Sequence, residues 1–129
     1  MTHVLTLRVY YEDTDLAGIV YYANYLKFIE RGRTEWVRGL GVDQGQLRAA
    51  EGLVFAVRHL EADYLRPARF DDLLSVETRV LRVTGARIVL AQDVLRDTDR
   101  IFAATVTLVC LTTAGQPARL PAALTGLRG

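Results

Sequence analysis

Three carboxylates fall within four positions, Glu12, Asp13 and Asp15, and Gly18 and the aromatic pair Tyr21-Tyr22 follow directly. A carboxylate can attack a carbonyl or take a proton from water, and a loop carrying glycine and aromatics is the kind that forms a pocket. From Ala23 the apolar residues switch to helical spacing. A helix that starts there offers unpaired backbone N–H groups and the positive end of its dipole, which polarise a carbonyl oxygen. Asp15, in Thr14-Asp15 followed by Leu16-Ala17-Gly18, is the first candidate. The competing reading is structural: Asp13 or Asp15 caps a turn through its own side chain.

Other groups carry weaker signals. Glu30 and Arg33 stand three apart on the helix, with Arg33 inside the apolar arc, and the spacing predicts a partly buried ion pair that fixes the helix. His59 shares a strand face with Glu61 and Asp63, but no further His or Cys joins it at metal-ligand spacing. His3, near the terminus, is expected to be exposed. The single Cys110 lies in the apolar run ATVTLVCL and reads as a core residue. No glycine-rich phosphate loop, Gly-x-Ser-x-Gly elbow or Cys-x-x-Cys is present, which leaves a carboxylate as the catalytic group to expect.

The elements that must position these residues follow from periodicity. Val4 to Tyr10 alternates as a half-buried strand, with Leu5, Leu7 and Val9 on one side. The helix that follows runs to Leu40 and is about 25 Å long. It presents Tyr25, Leu26, Ile29, Trp36, Val37 and Leu40 on one face, with Lys27, Arg31, Thr34 and Arg38 opposite. Gly39 and Gly41 can end it, and Gln44 to Glu51 adds a turn or two. After Gly52 the period is two. Strands are predicted over Leu53–Leu65, Leu74–Val83, Ala86–Arg96 and Ile101–Thr113, broken at Arg66-Pro67-Ala68, Thr84-Gly85 and Asp97-Thr98-Asp99. Short turns imply antiparallel neighbours. The fold class is α+β: a curved, antiparallel, five-stranded sheet wrapped around one long central helix, as a single domain over residues 1–129. Arg79, Thr78 and Arg82 are placed on the outer face toward solvent. The last strand, apolar on both faces, points to a homo-oligomer.

Composition narrows the function classes. With 129 residues, 50% of them hydrophobic and 24% charged, the chain can bury a core without staples. A net charge of +1 gives no bias toward nucleic acid or anionic membrane. No run approaches the roughly 18 to 20 apolar residues of a membrane span, and the first residues do not read as a signal peptide, so a cytoplasmic setting is expected.

The string Tyr11-x-x-Thr14-Asp15-x-x-Gly18-x-Val20-Tyr21-x-x-Asn24-Tyr25-Leu26-x-x-x-Glu30-x-x-Arg33 resembles the signature of the YbgC/4-hydroxybenzoyl-CoA thioesterase family. The run Asp63-Tyr64-Leu65-Arg66-Pro67-Ala68-Arg69-x-Asp71-Asp72 is also similar to that family. The resemblance reaches to about Thr113. It implies a hotdog fold, hydrolysis of acyl-coenzyme A thioesters, and homodimers or homotetramers with sites at the subunit interface. It also implies contact with acyl carrier protein. By match to the motif, Asp15 is the nucleophile or general base, and the backbone amide of Tyr22 polarises the thioester carbonyl. Gly18, Val20, Tyr21 and Tyr25 are the implied substrate-binding residues. Relatives often carry histidine where this chain has Tyr22; the implied role uses the backbone amide. No metal or bound cofactor is expected, since coenzyme A arrives as part of the substrate. Two rival readings share the fold: a non-catalytic binding module for acyl-CoA or acyl carrier protein, and a hydratase, which would need a histidine that the Asp15 loop lacks. Arg66, Arg69, Arg82 and Arg87 fit either coenzyme A phosphates or a solvated rim.

Overall fold

Sixteen residues, Asn24–Gly39, form the long helix α1, and it is buried along the side where its backbone comes closest to the sheet. That point is Gly32. A β-carbon there would lie 2.6 Å from Val76 Cγ1 and 3.3 Å from Thr78 Oγ1, so only a hydrogen fits. The buried arc is therefore centred on Gly32 and takes in Tyr25, Phe28, Ile29, Trp36 and Val37. Phe28, one turn before Gly32, is fully buried, whereas Leu26, expected on the core face, stands on its flank at 39% exposure.

The computed structural model describes residues 1–127. Strand β1 (Thr2–Arg8) precedes α1; α2 (Gln44–Glu51), β2 (Leu53–Tyr64), β3 (Leu73–Val83), β4 (Arg87–Arg96) and β5 (Asp99–Thr112) follow it. The two-residue strand β6 (Pro117–Ala118) and a short helix α3 (Ala122–Thr125) close the described chain. The sheet is antiparallel, in the order β1-β3-β4-β5-β2, with β6 added to β5. It curves around α1, as expected; β6 is the addition that the periodicity did not show.

Register explains what faces the helix. One inner row runs Leu5–Val76–Val94–Phe102–Tyr64 across the five long strands, and the next runs His3–Thr78–Gln92–Ala104–Ala62. The second row is polar where it passes under Gly32. Gln92 and Thr78 are fully buried there. Gln92 Nε2 donates to Ile29 O at 2.8 Å and to Thr78 Oγ1 at 2.9 Å, so the buried amide is satisfied. Thr78 therefore faces inward, not toward solvent. A bulge between Val80 and Arg82 puts Arg79 and Arg82 on one outer face although they are three apart, and that breaks simple counting. His3 is likewise only partly exposed, and its Nδ1 is buried without a hydrogen-bond partner among the described residues.

The second departure concerns β2 and β3. They are consecutive, yet β2 pairs with β5 and β3 with β1 and β4. Residues 65–72 do not turn back but cross the end of the sheet, and both ends of the crossing are tied down. Leu65 and Arg66 N–H donate to Ile101 O at 2.9 and 3.1 Å. At the other end Asp71 N–H donates to Val9 O, and Val9 N–H to Asp72 O, both at 2.9 Å.

Candidate active site

The three carboxylates of the loop have separate fates. Asp13 is a capping residue: its Oδ2 accepts from Tyr10 N–H at 2.8 Å, across the single 3₁₀ turn Tyr11–Asp13. Its backbone oxygen accepts from Tyr21 N–H and from Asn24 Nδ2, both at 2.9 Å, which anchors the start of α1 to this turn. Glu12 is exposed. Asp15 heads a tight loop in which its N–H donates to Ile19 O and Gly18 N–H donates back to Asp15 O, both at 2.9 Å. Gly18 closes that loop at φ +80°, a left-handed backbone that favours glycine. Asp15 Oδ1 accepts from Ala17 N–H at 2.9 Å, while Oδ2 receives no hydrogen bond from a described residue. The capping and catalytic readings are thus compatible: one oxygen orients the carboxylate and the other remains for chemistry.

The helix start supplies the complementary donors. Asn24 N–H donates to Tyr21 O at 2.8 Å, so the winding begins one turn before α1 proper. The amides of Tyr22 and Ala23, inside that turn, have no acceptor among the described residues, and no side chain caps the helix. Anions and developing negative charge are stabilised at such a terminus.

The crossing segment 65–72 forms the opposite wall. Val20 N–H donates to Ala68 O at 2.8 Å, and Ala68 N–H donates to the hydroxyl of buried Tyr25 at 3.0 Å. Arg96 Nη1 binds Pro67 O at 3.0 Å and Asp72 Oδ2 at 2.9 Å, which pins the segment from β4. Tyr25 stacks on Phe102 with centroids 5.0 Å apart, and Tyr64 meets both rings edge-on. Burial pushes the Tyr25 and Tyr64 phenols above their ordinary value, so both stay protonated at neutral pH. Tyr64 Oη donates to Tyr22 O at 2.9 Å.

Between these walls lies a cavity of about 400 Å³, lined by Asp15, Ile19, Val20, Tyr21, Tyr22, Tyr25, Tyr64, Leu65, Arg66 and Pro67. It gathers the expected residues Asp15, Val20, Tyr21, Tyr22 and Tyr25. Gly18 is not one of the lining residues; it closes the Asp15 loop. Leu65, Pro67, Ala68 and Arg96 were not foreseen as parts of the site. The signal for most of them was the Asp63-to-Asp72 run, whose proline reads locally only as a strand breaker. Arg66 lines the cavity, whereas Arg82 and Arg87 flank the β3–β4 turn at the far end of β3.

The remaining candidates lie elsewhere. Arg33 does not pair with Glu30. Its Nη1 donates to Gln92 Oε1 at 2.8 Å, because the arc around Gly32 turns it toward the polar row, while Glu30 accepts from Thr34 Oγ1 at 3.0 Å on the outside. Burial lowers the Arg33 pKa from its usual value, with Glu30 opposing that effect from a distance. His59 has Glu61 as its one side-chain polar partner among the described residues, at 3.4 Å on the exposed face. Among the described residues no cluster of His, Cys, Asp and Glu is suited to a metal. Cys110 is buried in the core as expected, and burial raises its thiol pKa.

Known proteins resemble this chain in sequence and in fold. The family model described as the thioesterase superfamily matches residues 17–103, a span that starts just after Asp15 and includes both cavity walls. The acyl-CoA thioesterase YbgC of Haemophilus influenzae is 48% identical over 105 residues, 81% of this chain and 77% of that protein. The acyl-CoA thioester hydrolase YbgC of Escherichia coli O6:H1 is 40% identical over 106 residues, 81% of this chain and 78% of its own length. Among solved structures, a probable thioesterase from Bartonella henselae superposes with a TM-score of 0.91 at 41% identity, covering 94% of this chain and 100% of that one.

Proposed function

This chain belongs to the thioesterase superfamily, and we infer from that membership and from the cavity at the start of α1 that it is an acyl-CoA thioester hydrolase of hotdog fold. The single observation that carries the reading is one cavity lined both by Asp15, with an uncommitted oxygen, and by Tyr22, whose backbone amide has no acceptor among the described residues. In the proposed reaction the thioester carbonyl oxygen lies at the helix start, where the Tyr22 N–H and the dipole stabilise negative charge as it develops. Asp15 either takes a proton from water as the water oxygen attacks the carbonyl carbon, or attacks that carbon itself to form a mixed anhydride that water then opens. In both routes the C–S bond breaks, coenzyme A leaves as the thiolate, and the acid is released. The thiolate is a good leaving group, so no further acid is needed. Tyr21, Tyr22 and Tyr25, with Val20, are the walls for the acyl group, and Gly18 shapes the loop.

Coenzyme A is part of the substrate in this reading, with no resident cofactor. Acyl carrier protein, which offers the same thioester linkage, is a second possible donor. A homodimer or homotetramer belongs to the same proposal. Its support is β2, a twelve-residue edge strand whose outer side has no strand partner among the described residues and whose Val57 is 47% exposed. Cytoplasmic residence is proposed on the free Cys110, which fits a reducing compartment. Among the described residues no helix is long and apolar enough to cross a membrane. The test is release of free thiol from short, long and aromatic acyl-CoAs. Turnover with at least one class is expected; tight binding of acyl-CoA with no thiol released from any class would refute the reading.

A further inference from the structure

Tyr64 reaches from the end of β2 to the backbone at the start of α1, a sequence separation of 42, and donates its hydroxyl to Tyr22 O at 2.9 Å. A trans peptide unit points its C=O and its N–H in opposite directions. No cis peptide occurs here, so a donor seated on Tyr22 O fixes the direction of the Ala23 N–H at the other end of the same unit. That N–H, like the Tyr22 N–H beside it, has no acceptor among the described residues. The hydroxyl is itself held in place. Tyr64 is the register partner of Phe102, and its ring packs edge-on at 5.0 Å against Phe102, 5.5 Å against Tyr25 and 6.2 Å against Tyr22.

Resting on the thioesterase reading above, we propose that Tyr64 is a positioning residue, whose hydroxyl holds the Tyr22–Ala23 peptide so that the Ala23 N–H joins the Tyr22 N–H as a second donor to the thioester oxyanion. The hydrogen bond on the carbonyl side also polarises the peptide unit and makes its N–H a stronger donor, as linked hydrogen bonds do. Tyr64 itself transfers no proton and forms no covalent bond. Its place at the cavity wall is a consequence of reaching the peptide, and its ring leaves the acyl group an aromatic side to lie against.

The test uses Tyr64→Phe, which keeps the ring and its contacts and removes only the donor. Thiol release should show kcat lower by about tenfold with KM within about twofold, a smaller loss than the ~10²–10³ of deleting an oxyanion donor outright. A spectroscopic readout separates polarisation from looser packing. With acyl-CoA labelled at the thioester carbonyl and bound to slow Asp15→Asn protein, the carbonyl stretch should move to higher frequency when Tyr64→Phe is added. An unchanged kcat, a rise in KM alone, or a fall in kcat with an unmoved carbonyl stretch would each overturn the proposal. If wild-type protein hydrolyses no acyl-CoA at all, the thioesterase reading fails and this proposal with it. If wild type is active and Tyr64→Phe equals it, only the role of Tyr64 fails.

Discussion

Replacing Gly32 with alanine should destabilise the protein, although the same change is favourable in most helices. An interior glycine costs a helix about 1 kcal/mol relative to alanine, so propensity alone predicts a gain. The site forbids it. The new β-carbon would stand 2.6 Å from Val76 Cγ1, more than an ångström inside ordinary contact, and 3.3 Å from Thr78 Oγ1. Val76 is fully buried on β3 and β-branched, so it has little freedom to rotate away. A contact as short as 2.6 Å falls in the upper part of the range for such overpacking, about 2–3 kcal/mol, which leaves a net loss of about 1–2 kcal/mol once propensity is credited. For a domain of this size that corresponds to a fall in Tm of about 3–10 °C by calorimetry. Gly39→Ala, at the end of the same helix with nothing within 4 Å, should leave Tm unchanged or raise it slightly. Adding Val76→Ala to Gly32→Ala should recover part of the loss through the relieved contact. A Gly32→Ala protein as stable as wild type would refute the close approach of α1 to β3, and with it the centring of the buried arc.

Arg33→Ala should cost about 1–3 kcal/mol in urea denaturation, because it strands the buried Gln92 Oε1, whereas Glu30→Ala should cost less than about 1 kcal/mol. Equal losses would restore the ion-pair reading. Stability should fall as pH rises past 9: burial raises the Cys110 thiol above its ordinary value of 9.0, so the native protein keeps a proton that the unfolded chain releases. Sign and window agree, since this contribution is complete below the unfolded pKa and lost as pH climbs through the folded one. Cys110→Val should flatten the stability curve near pH 9 in thermal melts; an unaltered curve would show that another group sets it. Light scattering at micromolar concentration should give a multiple of 14.4 kDa, and a monomer mass would refute pairing along the β2 edge.

Strong local signals carried the long helix, the α2 boundaries and the β-hairpins from β3 to β5, each set by periodicity and turn residues. What was not legible depends on contacts distant in sequence. Counting back from Arg82 misplaces Thr78 because a bulge lies between them, and the partner of Arg33 lies 59 positions away on β4. Spacing within a helix favours Glu30 for that role, and only the closeness of α1 to the sheet at Gly32 reverses the choice. The β2–β3 crossing was hidden for a related reason: its hydrogen bonds go to Val9, Val20 and Ile101, three segments that no local pattern joins. At the site, Asp15 and the open helix start were readable as loop chemistry followed by apolar periodicity. Tyr64, opposite the His59, Glu61 and Asp63 face in strict alternation, reads locally as one more inward residue of a strand, because the oxygen it binds belongs to a backbone turn far earlier in the chain.

The most direct measurement is thiol release by Asp15→Asn alongside acyl-CoA binding by the same protein. Asparagine keeps the size of the side chain and the acceptor that takes the Ala17 N–H, and it is as good a cap as aspartate. It lacks the negative charge that attacks the carbonyl or takes a proton from water. The expected result is a Tm close to wild type, retained binding by calorimetry, and kcat lower by at least about a hundredfold. A fully active Asp15→Asn protein would contradict the assignment of Asp15 as the catalytic carboxylate.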